Sequence, residues 1–192
     1  MAIGDAMGYA FAFDRLIDLQ SINDGERLSF RYIRRMGDFV VSDDTQMSLF
    51  TFSGIMDHPE SPFASIYQSY LDWDWTLLKV INTRTQITHN NKSWLLEESR
   101  MIVSRAPGIT CMNALGSGVM GTIENRINDS KGCGCVMRIA PIALYYSHDT
   151  TYSIHEISTL CVCASAITHG HDLSMLASYH LGSLLARMVR VP

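Results

Sequence analysis

From residue 61 onward the apolar residues of this chain recur at helical spacing, and that period constrains the fold more than any other feature. Ser61-Pro62 is a helix start, an N-cap residue followed by proline in the first turn. Phe63, Ile66, Tyr67, Tyr70, Leu77, Leu78 and Ile81 follow on one stripe. Trp73 and Trp75 fall off it and are expected to pack against a further element. Ser153-Ile154-His155-Glu156 is a capping box, and Ile154, Ile157, Leu160, Cys161, Ala164 and Ile167 make the stripe of the helix it opens. That helix ends at Thr168-His169-Gly170-His171, with Gly170 as its stop. Asp172 is read as the cap of a last helix, with Leu173, Leu176, Ala177, Leu181, Leu184, Leu185 and Met188 on one face. Joined by so short a turn, these two helices should pair antiparallel. Strand alternation is absent apart from an extended stub at residues 39–41, so the fold reading is all-α.

The N-terminal half is more broken. Residues 2–13 read as a short buried helix in which Gly4 and Gly8 let another backbone approach. Asp5 in that apolar setting reads equally as a structural hydrogen-bonding acid or as a group standing behind a site. Leu16, Ile17 and Leu19 precede a turn at Asn23-Asp24-Gly25, and Arg27, Arg31, Arg34 and Arg35 then fall at helical spacing as a solvated face. Residues 82–104 read as a loop and a short helix around Trp94-Leu95-Leu96. Arg105-Ala106-Pro107-Gly108 is a tight turn before a small-residue helix from Thr110 to Leu115. A polar loop from Glu124 to Lys131 leads into Gly132-Cys133-Gly134, and an apolar helix is expected from Cys135, kinked or restarted by Pro141.

Composition narrows the function classes. At 192 residues the chain suffices for one sizeable core or for part of a larger domain. With 47% hydrophobic and 18% charged residues it is ordered and core-rich, and a net charge of -4 argues against a dedicated nucleic-acid surface. No apolar run approaches the ~18 residues of a membrane span. Five cysteines without a secretion signal point to reduced thiols and a cytoplasmic setting.

The densest chemistry lies at Ser42-Asp43-Asp44-Thr45, two carboxylates flanked by two hydroxyls. Taken alone it reads first as a helix cap, because Ser, Asp and Thr are all N-cap residues. Met47, Phe50, Phe52 and Ile55 suggest the buried side of the helix it starts. At such a strand-to-helix corner the same oxygens can also converge on a hard cation, which opposes the helix dipole and needs that carboxylate charge. Ser130-Lys131-Gly132-Cys133-Gly134 entering a helix presents free backbone N–H groups of the kind that hold phosphate. A four-thiolate zinc site from Cys133, Cys135, Cys161 and Cys163 is disfavoured by its C-x-C spacing. His169 and His171 read as metal ligands or as caps of helix-end carbonyls.

Together these motifs resemble the ADP-ribosylglycohydrolase family. Five features carry the resemblance in order: Gly4-Asp5-Ala6-Met7-Gly8, Ser42-Asp43-Asp44-Thr45-Gln46-Met47, Arg105 to Cys111, Ser130 to Gly134 with Met137-Arg138 and Pro141, and Thr168 to His171. The resemblance implies an all-α fold and a two-magnesium centre that cleaves the glycosidic bond between ADP-ribose and an acceptor. It makes Ser42, Asp43 and Asp44 metal ligands, with Asp43 or Asp44 the catalytic group that positions water and Asp5 standing behind them. It makes Ser130, Gly132, Cys133, Gly134 and His169 the substrate contacts, and ADP-ribose or an ADP-ribosylated protein the partner.

Cys133 stands where the family often has asparagine, and the family's later D-x-D-[TS] motif, which supplies the remaining Mg2+ ligands, does not occur; after Thr151 Asp172 is the only aspartate. The chain is therefore read as a single partial domain, residues 1–192, resembling the N-terminal two-thirds of the family domain. Little turnover is expected from about half of a two-metal ligand set. The alternatives are a non-catalytic ADP-ribose-binding or structural, crystallin-like member, and a truncated gene remnant. Missing helices should leave an apolar face exposed and promote self-association.

Overall fold

Ser42 marks the change from extended chain to helix: its backbone is extended (φ -87°, ψ -170°) and its Oγ accepts a hydrogen bond from the Asp44 N–H. The computed structural model describes residues 1–9, 12, 40–81 and 92–191. In chain order these form α1 (Ala2–Tyr9), α2 (Asp43–Asp57), α3 (Pro62–Ile81), two 3-10 turns (Trp94–Glu97 and Ser99–Met101), α4 (Ile109–Gly116), a 3-10 helix (Cys133–Arg138), α5 (Ala140–Ser147), α6 (Ile154–Ala166) and α7 (Asp172–Arg190). No strand occurs among the described residues, and the fold is all-α as expected. Val40 and Val41 are irregular; Phe39, residues 10, 11 and 13 of the first expected helix, the Leu16–Leu19 and Asn23-Asp24-Gly25 segments, the arginines at 27, 31, 34 and 35, and the loop at 82–91 lie outside the described residues.

The core forms where α2, α3, α5 and α6 turn their apolar faces together. Met47, Phe50 and Ile55 meet Ile66, Tyr70, Trp73 and Leu77, and Ile142, Ile157 and Cys161 complete the cluster. Trp73, off the α3 stripe, is fully buried and donates its indole N–H to Gln46 Oε1 of α2 at 3.4 Å. The α2–α3 crossing is close because Gly54 has no side chain: a Cβ there would stand 2.5 Å from Ile66 Cα. The capping box at Ser153 and Glu156 forms as read, and Pro141 restarts the chain as α5. The expected apolar α-helix from Cys135 is instead a 3-10 helix from Cys133, because the Gly-Cys-Gly-Cys run has little intrinsic helix propensity.

Three expectations are corrected. First, α1 is not buried: Ala6 is its one buried residue, and nothing lies within 4 Å of a Cβ on Gly4 or Gly8. Second, Phe52 faces solvent beside its buried neighbours on α2. Third, the buried face of α7 is turned away from most of its leucine stripe, of which Leu181 and Leu185 alone pack against the core. Leu173, Leu176, Leu184 and Met188 are exposed, while Ser174, Met175, Ser178, Gly182 and Ala186 are buried. The reason is the closeness of α6: a Cβ on Gly182 would meet Cys161 Sγ at 2.7 Å, so only small residues fit that seam. The cap of α7 also differs. His171 Nδ1 accepts from the Leu173 N–H, and Asp172 pairs with Arg126 at 2.7 Å. No helix among the described residues is long and apolar enough to cross a membrane.

Candidate functional site

Asp5 organises the corner at which α2 begins. Its carboxylate accepts from the Ser42 N–H (3.0 Å), Ser42 Oγ (2.7 Å), the Thr45 N–H (3.2 Å) and Thr45 Oγ1 (2.5 Å). The two readings of Asp5 merge: it is a structural acceptor, and what it holds is the Ser42-Asp43-Asp44 corner. Asp43 is clamped by the Arg105–Gly108 turn, its N–H donating to Arg105 O at 2.9 Å and its Oδ2 accepting from the Gly108 N–H at 2.9 Å. The turn carries the one non-glycine residue of positive φ among those described, Ala106 at 52°, a conformation that costs free energy and persists when the surrounding packing enforces it.

Asp5, Ser42, Asp43, Asp44 and Ala106 line a pocket of about 490 Å³. Burial, then the neighbouring Asp44 and Asp5 charges, push the Asp43 carboxyl up to about 6, although the Gly108 N–H opposes the rise. Asp44 is raised by burial and by Asp5. Two carboxylates that repel each other, one buried and one half-buried, are short of positive charge.

The second half of the expected site is built by three segments. Ser130 Oγ lies 3.1 Å from Thr110 Oγ1 of α4 and accepts from the Gly132 N–H at 3.3 Å. Asn128 ties this loop to the end of α6: its Oδ1 accepts from the Ser130 and Gly170 N–H groups, and its Nδ2 donates to Thr168 O at 2.8 Å. Gly170 is not a left-handed stop; a Cβ there would stand 2.0 Å from Asn128 O, so the loop contact itself requires glycine. His169 is 1% exposed, its Nδ1 is 2.8 Å from Thr168 Oγ1, and its other ring edge faces Gly132 and Gly134. Burial, and then the Arg138 charge, lower its pKa to about 4, so the ring is neutral near pH 7. Cys133 is exposed at the loop tip.

Cys111 lies between the two halves. A Cβ on Gly108 would stand 3.7 Å from Asp43 Oδ2 and 3.9 Å from Cys111 Sγ; one on Gly134 would stand 3.1 Å from Cys111 Sγ and 3.4 Å from His169 Cε1. Segments 65 residues apart, as Asp43 and Gly108 are, and the later loop at 130–134 thus share one wall. The residue match that decides the family covers the same stretch: the ADP-ribosylglycohydrolase model matches residues 1–191. The chain belongs to the ADP-ribosylglycohydrolase family. No curated protein matches it, and no solved structure does. Membership places it among the glycohydrolase-type hydrolases of that family.

Within this family member, every site residue read from the sequence falls on one of the two joined halves. The thiolate alternative does not assemble: Cys135 is buried against Gly132 O and Ser174 O, and Cys161 packs under Gly182. Among the described residues no three His, Cys, Asp or Glu side chains are grouped to hold a metal. At the α2 corner Asp5 faces Ser42 and Thr45, and Asp43 has one oxygen on the Gly108 N–H. Thr45, read as a cap or a cation-facing hydroxyl, is instead held by Asp5, and Cys111, Asn128 and Thr168 had no individual role assigned from sequence. Asn128 carried a detectable signal, an Asx-type bond two residues on to Ser130; the others depend on tertiary contact.

Proposed function

We propose that this chain is a magnesium-dependent hydrolase of the glycosidic bond between ADP-ribose and an acceptor such as a modified protein side chain. The observation that carries the reading is the shared wall, on which an anionic pocket at Asp43 and Asp44 adjoins a glycine loop backed by His169. The donor chemistry fits a hard divalent cation: Ser42 Oγ, Asp43 and Asp44 supply oxygen only, and magnesium is held by one or two carboxylates with waters completing its shell. Bound there, the ion would supply positive charge to oxygens of the ribose and of the attacking water. The chain's own residues do the rest. Asp43 or Asp44 would position the attacking water. Cys133 and Gly134 open a 3-10 helix, so their N–H groups lack intrahelical acceptors and are the donors a diphosphate would use.

The second reading is a member that binds ADP-ribose without turning it over. Release of ADP-ribose from modified arginine or serine peptides, with and without Mg2+, separates them. Turnover abolished by Asp43→Ala and Asp44→Ala supports the hydrolase. Turnover unchanged by both substitutions would sink the metal-corner reading, and Mg2+-linked ADP-ribose binding without turnover supports the second.

A further inference from the structure

Arg138 is completely buried and, among the described residues, is in no ion pair with a carboxylate. Its guanidinium lies 4.3 Å over the Tyr70 ring; Nη1 faces Met47 Sδ and Cys111 Sγ, both at 3.7 Å, and Nη2 donates to Ala164 O (3.4 Å) and Thr168 Oγ1 (2.5 Å). An arginine can only donate, so Thr168 Oγ1 is the acceptor in that bond and its own proton must go elsewhere. Two acceptors stand close to it, His169 Nδ1 at 2.8 Å and the Cys111 thiol. A thiol sulfur is a weak acceptor, and an imidazole nitrogen is a strong one. The hydroxyl proton therefore points at Nδ1. A neutral ring with a bare Nδ1 carries its proton on Nε2.

We propose that Arg138 and Thr168 are positioning residues that fix His169 as the Nε2–H tautomer and present that N–H, uncharged, to an oxygen of the ligand held on the Gly132–Gly134 loop. Nε2 has no protein acceptor among the described residues, and its surroundings are those two glycines, where a Cβ would stand 3.4 Å and 3.5 Å away. With Nδ1 taken up by Thr168, Nε2 is the ring nitrogen left to meet a ligand at that loop. The choice of ligand, the diphosphate or ribose of ADP-ribose, rests on the function proposed above; the tautomer does not. That no described acid pairs with Arg138 has a place in the same arrangement. A carboxylate there would take the Nη2 donor away from Thr168 and free the hydroxyl to turn.

The test reads the tautomer directly. In protein labelled with 15N-histidine, the seven histidines are resolved and His169 is assigned by its loss in His169→Gln. Wild type should show a hydrogen-bonded, unprotonated Nδ1 and a protonated Nε2. Thr168→Val, of nearly the same shape, should move the ring toward a tautomer mixture and weaken ADP-ribose binding about tenfold, the size of one lost hydrogen bond. Thr168→Ser should restore both. A protonated Nδ1 in the wild type, which needs no variant to fold, overturns the proposal, as does an unchanged tautomer in a folded Thr168→Val. The expected tautomer in a chain that does not bind ADP-ribose would leave the relay standing and count against the proposed function.

Discussion

Asp5 shows how much one side chain can arrange. Its four acceptances hold two backbone N–H groups and two hydroxyls at the start of α2, so Ser42 is aimed before any ligand arrives. Asn at this position keeps one acceptor oxygen and offers an amide where donors already crowd. Asp5→Asn should therefore lower the unfolding free energy by about 1–3 kcal/mol, read from the urea midpoint at unchanged m-value. A midpoint equal to wild type would mean that Asp5 does not hold the corner in solution. The residue types at this corner were legible in the sequence, since Ser, Asp and Thr before an apolar run announce a cap. The partner of the cap was not, because Asp5 and Ser42 are 37 residues apart and no local pattern links them.

Among the helices, the contacts turn on small residues as much as on large ones. Gly54 lies inside α2 and would ordinarily gain about 1 kcal/mol on replacement by alanine. Its neighbours are backbone atoms, Ile66 Cα at 2.5 Å and Ile66 N at 2.6 Å from a built Cβ. Gly54→Ala should instead destabilise by about 1–3 kcal/mol as α2 and α3 are forced apart, measured by thermal unfolding. Helix α7 gives the opposite case. Leu176 and Leu184 are 51% and 55% exposed, so the double change Leu176→Gln, Leu184→Gln should alter stability by no more than about 0.5 kcal/mol for each site. Sedimentation velocity should show less self-association than wild type; an identical concentration dependence would remove this face as its cause. The existence of α3, α6 and α7 follows from period and caps alone. Which side of α7 is buried does not, since leucine periodicity marks a face and the close seam with α6 selects serine and glycine.

For the molecule as a whole, two buried groups oppose each other in acid. Burial raises Asp74 to about 6, so the native state holds its proton more tightly than the unfolded chain and loses stability as pH rises through that window. His169 is lowered to about 4, so the native state binds a proton less readily and loses stability as pH falls from the usual histidine range toward 4. The two slopes partly cancel between pH 4 and 6. Asp74→Asn removes one of them and should stabilise the protein at pH 7.5 by roughly 1–2 kcal/mol, discounted for the solvent that reaches the carboxyl, with no gain at pH 4. Urea midpoints at the two pH values check this, and an equal gain at both would exclude ionisation of Asp74 as the cause.

What is local and periodic was legible in the chain alone: an all-α fold, the helix starts at Ser42, Ser61 and Ser153, the restart at Pro141, and two short stretches dense in polar residues and glycine. Those features depend on neighbours within a few residues, where capping and turn chemistry act. The tertiary structure decided that the two stretches share a wall at Cys111, that Asp5 holds the first and Asn128 the second, and that the buried Arg138 reaches His169 through Thr168. Side chains far apart in the chain meet only when helices pack. Burial then sets their charge, which neither composition nor spacing contains.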